Sequence, residues 1–227
     1  GPLNLREGEK GVWKFADWLP VSQTSDQVAG TVTYQSETLA SELGMSNLWI
    51  TFHGYWPEKG GKCPTTTFKD MEAVPTIQRL LDHGCEGLVC ASAGNTARAF
   101  TYFSAEAGFP TMIIVAERHL NRIWVPEGHP KDSIILIGIG GGADYNDAIE
   151  VSGEVASVLG WHLEVIGARE VGTRVIMQVM VITKPVDATP GMYLPIHRVI
   201  DADVAQIIDR HTVDVVAQPV ATRVVDL

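Results

Sequence analysis

The sequence is poor in cysteine, in positive charge and in long apolar runs, and each shortage excludes something. Its three cysteines, Cys63, Cys85 and Cys90, are an odd set with no C-x-x-C pair. A disulfide framework is not expected from them. No secretory leader is legible, so a reduced cytoplasmic setting is the expectation. No apolar stretch approaches the ~20 residues that cross a bilayer, which argues against a membrane span. Lys and Arg number 17 against 27 Asp and Glu, a formal charge of −10. The long-range field therefore repels nucleic acid and anionic membrane, and any anionic ligand must be drawn by local groups. The seven histidines show no H-x-H or H-E-x-x-H spacing, and no G-x-S-x-G elbow occurs. No metal site is predicted. Aromatics make up 7% and no basic stripe accompanies them, so the tryptophans read as packing residues.

What remains is an apolar fraction of 45% in 227 residues, enough for a sizeable core. The chain opens Gly1-Pro2-Leu3 without a methionine, which suggests a trimmed or partial chain. Residues 1–66 read as an N-terminal segment: strands in "GTVTY" and "NLWITF", a short helix over 36–43 ending near Gly44, then the loop "HGYWPEKGGKCP" over 53–64. Residues 67–172 alternate between two periods. Met71, Val74, Ile77 and Leu81 recur at helical spacing up to Gly84, with Pro75 set to kink that helix or mark its start. "GLVCA" (87–91), a helix over 96–107, "TMIIVA" (111–116), "SIILIGI" (133–139), a helix over 145–159 and "HLEVIG" (162–167) follow. This β-α-β order predicts an α/β fold, a parallel sheet with helices on both faces. Residues 173–227 read as a β-rich C-terminal segment of unknown role, with a strand in "RVIMQVMVITK", a turn-rich link over 187–195, a helix over 201–210 and a final strand in "VDVVAQPV".

Two points in the α/β stretch carry chemistry. Thr67-x-x-Asp70 has the form of a capping box and places Lys69 in the first helical turn, where the macrodipole disfavours a cation. A lysine that sheds its proton more readily is a nucleophilic amine, suited to Schiff-base chemistry with an aldehyde, and Asp70 would offset part of that effect. The bland alternative is a solvated lysine that begins a helix. "GLVCA" then runs into Ser92-Ala93-Gly94-Asn95 and a helix. Small residues at the carboxyl edge of a parallel strand present backbone N–H groups to an anion, Gly94 permits close approach, and Ser92, Asn95 and Thr96 add side-chain hydrogen bonds. The alternative there is an N-cap with no ligand.

"TTTFKDMEA" followed by "ASAGNTARAF" resembles the signature of the fold-type II pyridoxal-phosphate enzymes, the threonine synthase and tryptophan synthase β group. The wider run over 11–172, from "GVWKFADWLPV" through "GYWPEKG", "CPTTTFKD" and "GGADYNDAI", is most similar to the cysteate synthase family within that group. The resemblance implies a small α/β domain of the tryptophan synthase β type, shortened downstream. It implies pyridoxal 5'-phosphate carried by Lys69, with Asn95 at the oxygen on its ring. It also implies an amino-acid carboxylate held by Ser92, Gly94, Asn95 and Thr96. The chemistry implied is β-replacement through an aminoacrylate, O-phosphoserine and sulfite giving cysteate and phosphate. Lys59, Lys62, Arg98 and Arg122 are candidate attractors for such anions. The family's glycine-rich phosphate loop and its polar group near the pyridine nitrogen have no recognisable counterpart here. Further sequence or a complementing chain would have to supply them, unless the chain is a shortened relative that has lost the chemistry; the expected partner is a second copy, as a homodimer, or that complementing chain.

Two other readings are carried. Gly138-Ile139-Gly140-Gly141-Gly142-Ala143 matches G-x-G-x-x-A between a strand and a helix, with Glu164 and Glu170 downstream, the form of a dinucleotide site. A catalytically incomplete relative, acting as a binding or partner subunit, would keep only the 92–96 cradle.

Overall fold

The computed structural model describes residues 4–92, 94–125, 133–140 and 142–158, and the strand segments 162–166, 170–171, 174–175, 179–183 and 221–222. The chain divides into two compact units, residues 1–78 and 79–227.

In the first unit a 3-10 segment, Gly11–Trp18, buries Trp13, whose indole N–H donates to the Gln27 carbonyl at 2.7 Å. Strand β1 (Val32–Gln35), helix α1 (Glu37–Glu42) and strand β2 (Trp49–Phe52) follow, with β1 and β2 antiparallel in the register Val32 to Phe52. Gly44, at φ +66°, closes α1 in the left-handed conformation expected of it. The stretch predicted as loop contains a small antiparallel hairpin, β3 (Tyr55–Trp56) against β4 (Gly61–Lys62). Gly60, at φ +89°, makes its turn. Helix α2 (Asp70–Asp82) begins in this unit and contains the division between the two. It runs through Pro75, five residues after its first, so the proline does not mark the start.

The second unit is built on one sheet. Strands β5 (Leu88–Ser92) and β6 (Thr111–Ala116) are joined by helix α3 (Asn95–Ala107), which ends at Gly108, φ +63°. A 3-10 segment (Glu117–Arg122) leads to the two-residue strand β7 (Trp124–Val125), then β8 (Ile134–Ile139) and helix α4 (Tyr145–Val158). β8, β6 and β5 are parallel neighbours, as the sequence pattern requires, and every residue of β5 and β6 is buried. Alternate residues face opposite ways. Val89, Ala91, Met112, Ile114, Ile137 and Ile139 pack with Ala148, Val151 and Val155 of α4, while α3 takes the other face through pairs such as Ala105 with Ile134.

The sheet continues where the sequence pattern did not place it. Strand β9 (His162–Ile166) does not extend the parallel run; it pairs antiparallel with β12 (Val179–Thr183), which lies antiparallel to β5. Short strands β10 (Glu170–Val171) and β11 (Arg174–Val175) make an antiparallel hairpin between them, and β13 (Ala221–Thr222) pairs parallel with β7. The predicted link over 187–195 and helix over 201–210 lie outside the described residues, as does all of "VDVVAQPV".

Candidate active site

The Lys69 neighbourhood is built by a short, strained approach to α2. Thr66 sits at φ +61°, a left-handed conformation that a β-branched side chain rarely adopts. Its N–H donates to the Cys63 carbonyl at 2.9 Å. On its amino side Thr65 donates both its N–H and its hydroxyl to the carboxylate of Asp70, and both residues are fully buried. The expected capping box is therefore displaced. Asp70 answers Thr65, and Thr67 Oγ1 accepts the Lys69 N–H at 3.0 Å. The Lys69 carbonyl accepts the N–H groups of Glu72 and Ala73, at 3.1 and 2.9 Å, so Lys69 is the N-cap, one residue ahead of the first helical turn.

The Lys69 side chain is 13% exposed and pairs with Glu72, Nζ to Oε2 2.5 Å. On another side Nζ stands 5.2 Å from the centroid of the Phe68 ring. The sequence reading assigned the countering charge to Asp70. Asp70 keeps its charge while it accepts from Thr65, and Glu72, which carried no role, makes the direct ion pair; the K-x-x-E spacing was the available signal. Cys63 shares this region. Burial, and then the nearby Asp70 charge, push its thiol up to about 11.

The second unit brings the other predicted residues together. Ser92, Gly94, Asn95 and Thr96 line one cleft of roughly 270 Å³ with Arg122. The register aligns Ser92 with Val115, and Val115 with Gly138, so the cleft lies at the carboxyl ends of the parallel strands. Gly94, at φ +146° and ψ −74°, turns the chain into α3. Ser92 is buried; its Oγ accepts the N–H of Gly94 at 3.0 Å and of Ala97 at 2.9 Å. Its oxygen is thus spent on building the turn, in part as the N-cap reading had it. The N–H groups of Asn95 and Thr96, at the first two helical positions, have no carbonyl within the helix to meet. No acidic residue occupies the first turn of α3.

Of the four candidate anion attractors, Arg122 alone lines this cleft. Arg98 donates to Asn95 Oδ1 at 3.2 Å, Lys59 stands over Trp56 at 6.0 Å, and Lys62 lies exposed in β4. Arg122 arrives because Gly138 lets the Glu117–Arg122 segment lie across the sheet edge: a Cβ there would come within 2.4 Å of Leu120. That is a packing reason for the first glycine of the dinucleotide-like motif. The rest of the motif leads into a helix start already filled with negative charge. Asp144 Oδ1 accepts the N–H of Asn146 and of Asp147, and Asp147 accepts the N–H of Asp144. This reciprocal cap would repel a pyrophosphate. No helix among the described residues is long and apolar enough to cross a membrane.

Fold and cleft together define an α/β protein with a cleft at the carboxyl edge of a parallel sheet, lined by Ser92, Gly94, Asn95, Thr96 and Arg122. No protein-family model matches the chain. Among individual proteins it is 49% identical over 164 residues to the cysteate synthase of Methanocella arvoryzae, an alignment covering 72% of this chain and 39% of that protein. It is 47% identical over 172 residues to the cysteate synthase of Methanosarcina acetivorans, 76% and 41%. With that of Methanocella paludicola it shares 45% over 164 residues, 72% and 38%. The chain is cysteate synthase-like over this stretch, and it spans about two fifths of the length of the curated relatives it matches.

Proposed function

We propose that this chain carries the amine and the substrate cradle of a pyridoxal 5'-phosphate-dependent enzyme. Its reaction is β-replacement on an anionic amino acid, cysteate synthase-like: O-phosphoserine and sulfite give cysteate and phosphate. The observation that carries the reading is the cleft itself, in which an acid-free helix start and a guanidinium face the same space. Similarity to several cysteate synthases supports it over a partner subunit. The acid-filled start of α4 disfavours the dinucleotide reading.

Each residue by its own chemistry suits the reactive end of the cofactor: Lys69 of the first unit is a largely buried amine suited to its aldehyde, and Asn95 of the second is an exposed amide suited to its ring oxygen. When bound, the cofactor supplies the electron sink for chemistry at the substrate's α and β carbons. Everything else falls to the chain. The N–H groups of Asn95 and Thr96, with the Thr96 hydroxyl, bind and orient the carboxylate; Arg122 attracts the second anionic group; and the freed Lys69 amine takes the α-proton. In this reading the protein is cytoplasmic, and the groups for the cofactor phosphate and ring nitrogen come from further sequence or from a complementing chain.

The test is an absorbance scan of the purified protein with pyridoxal 5'-phosphate, then borohydride reduction and peptide mapping. Visible absorbance that borohydride bleaches, with the label on Lys69, is the expected result. Lys69→Ala should lose that absorbance and the activity while keeping its far-ultraviolet circular dichroism. An unchanged spectrum in the variant removes the mechanism.

A further inference from the structure

The start of α2 departs from the ordinary helix start in one respect. A glutamate three residues past an N-cap normally reaches back to the N-cap N–H. Here Glu72 occupies that position relative to Lys69, but Thr67 Oγ1 already accepts the Lys69 N–H. Relieved of the backbone, the Glu72 carboxylate meets the N-cap side chain instead, Oε2 to Nζ 2.5 Å, with the two side chains 21% and 13% exposed. Phe68 stands on Nζ as well.

The backbone that sets this geometry is held from the other side. Asp70 is fully buried and accepts two hydrogen bonds from Thr65, which fixes the left-handed Thr66 turn leading into Lys69. Around the helix start in the same unit the titratable groups are Asp70, given to Thr65; Cys63, whose thiol donates to Gly30; and His53, whose ring centroid is 6.1 Å from that of Phe68. Among the described residues, Glu72 is a carboxylate that forms an ion pair with the amine.

We propose that Glu72 is the positioning residue of Lys69, a counter-ion that holds the amine as an ammonium in one place and so limits how readily it reacts with a carbonyl. The inference rests on Lys69 being the reactive amine of the proposed function. It adds a gate: the cofactor aldehyde, or any electrophile, must find Lys69 after the ion pair has opened and the ammonium proton has passed to water. The carboxylate is not the base that removes that proton, since a carboxylate is too weak a base to deprotonate an ammonium.

The test needs no cofactor. The protein is acylated with a limiting amount of acetic anhydride near pH 8, and acetylation of Lys69 is read by peptide mass spectrometry against the exposed Lys59 and Lys62. Glu72→Gln should speed Lys69 acylation roughly threefold to tenfold relative to those references, as expected for loss of a partly shielded ion pair. Glu72→Asp should restore at least part of the slowness. Raising salt to about 1 M should speed Lys69 in the wild type and leave Glu72→Gln unchanged. Equal rates in wild type and Glu72→Gln overturn the proposal. So does a gain shared by Glu72→Asp and indifferent to salt, because that is the mark of a loosened helix. Failure to bind pyridoxal 5'-phosphate would instead count against the proposed function and leave the acylation result standing.

Discussion

Helices α2 and α3 are both 13 residues long, yet they treat their amino ends in opposite ways. At α2 the preceding chain satisfies the first turn. Thr67 and Phe68 carbonyls accept the N–H groups of Asp70 and Met71, the Lys69 carbonyl accepts the next two, and Asp70 and Glu72 place carboxylates there. At α3 Ser92 closes the turn with one oxygen, no acid is present, and the first two N–H groups border a cleft with Arg122. The first arrangement suits a held cation, and the second suits a captured anion.

The largest expected effect comes from breaking the closed end. Asp70→Ala leaves the buried Thr65 N–H and hydroxyl without their acceptor, and the left-handed Thr66 loses the contact that holds it. A loss of about 2–4 kcal/mol in denaturant unfolding is expected. The same treatment of the open end should cost less: Ser92→Ala gives up a capping oxygen worth about 1 kcal/mol. Should the two losses be equal, the distinction between a closed and an open helix start is wrong.

A second substitution sharpens the comparison by giving α3 the character of α2. Asn95→Asp adds a carboxylate to an acid-free first turn, where it also meets Arg98. Helix stability should rise by about 0.3–1 kcal/mol. Binding of O-phosphoserine, followed by calorimetry, should weaken by about tenfold or more as the new charge opposes the ligand. The opposite signs are the point of the experiment. If stability and binding move together, α3 was an ordinary capped helix with no anion to receive.

The opposed pair was only half visible in the sequence. The parallel core strands were legible because buried runs such as "TMIIVA" and helical spacings such as Met71, Val74, Ile77 and Leu81 differ in period. The turn was legible because Ser, Gly, Asn and Thr between a strand and a helix suit an N-cap or an anion cradle, and both readings place a turn there. What the sequence hid was partner choice at close quarters. Thr65 and Thr67 compete for the same acids, and only the turn at Thr66 decides that Asp70 goes to one and Glu72 to the lysine. Likewise Arg122 is 30 residues from Ser92, and nothing in its local context marks it until the packing of Leu120 on Gly138 carries it to the cleft. The place of β12 between β5 and β9 is long-range pairing of the same kind.

The smallest expected effect uses a neighbour of the cleft as a reporter. His119 is held below its ordinary 6.5, first by burial and then by the positive charges of Arg122 and Arg118. Its Nδ1 is buried without a hydrogen-bond partner among the described residues. A histidine whose folded value is depressed takes up its proton later than the unfolded chain does. Stability is therefore complete above about pH 6.5 and declines as the pH falls from there toward the folded value. Arg122→Gln should move the His119 ring titration, followed by NMR, back toward 6.5, while Arg122→Lys should leave most of the depression in place. An anion seated against Arg122 should act in the same direction as Arg122→Gln, because it screens the same charge. If phosphate or O-phosphoserine shifts the His119 titration upward in the wild type and not in Arg122→Gln, the open helix end receives its ligand where the guanidinium stands. If neither compound moves the titration, Arg122 lines the cleft without serving it.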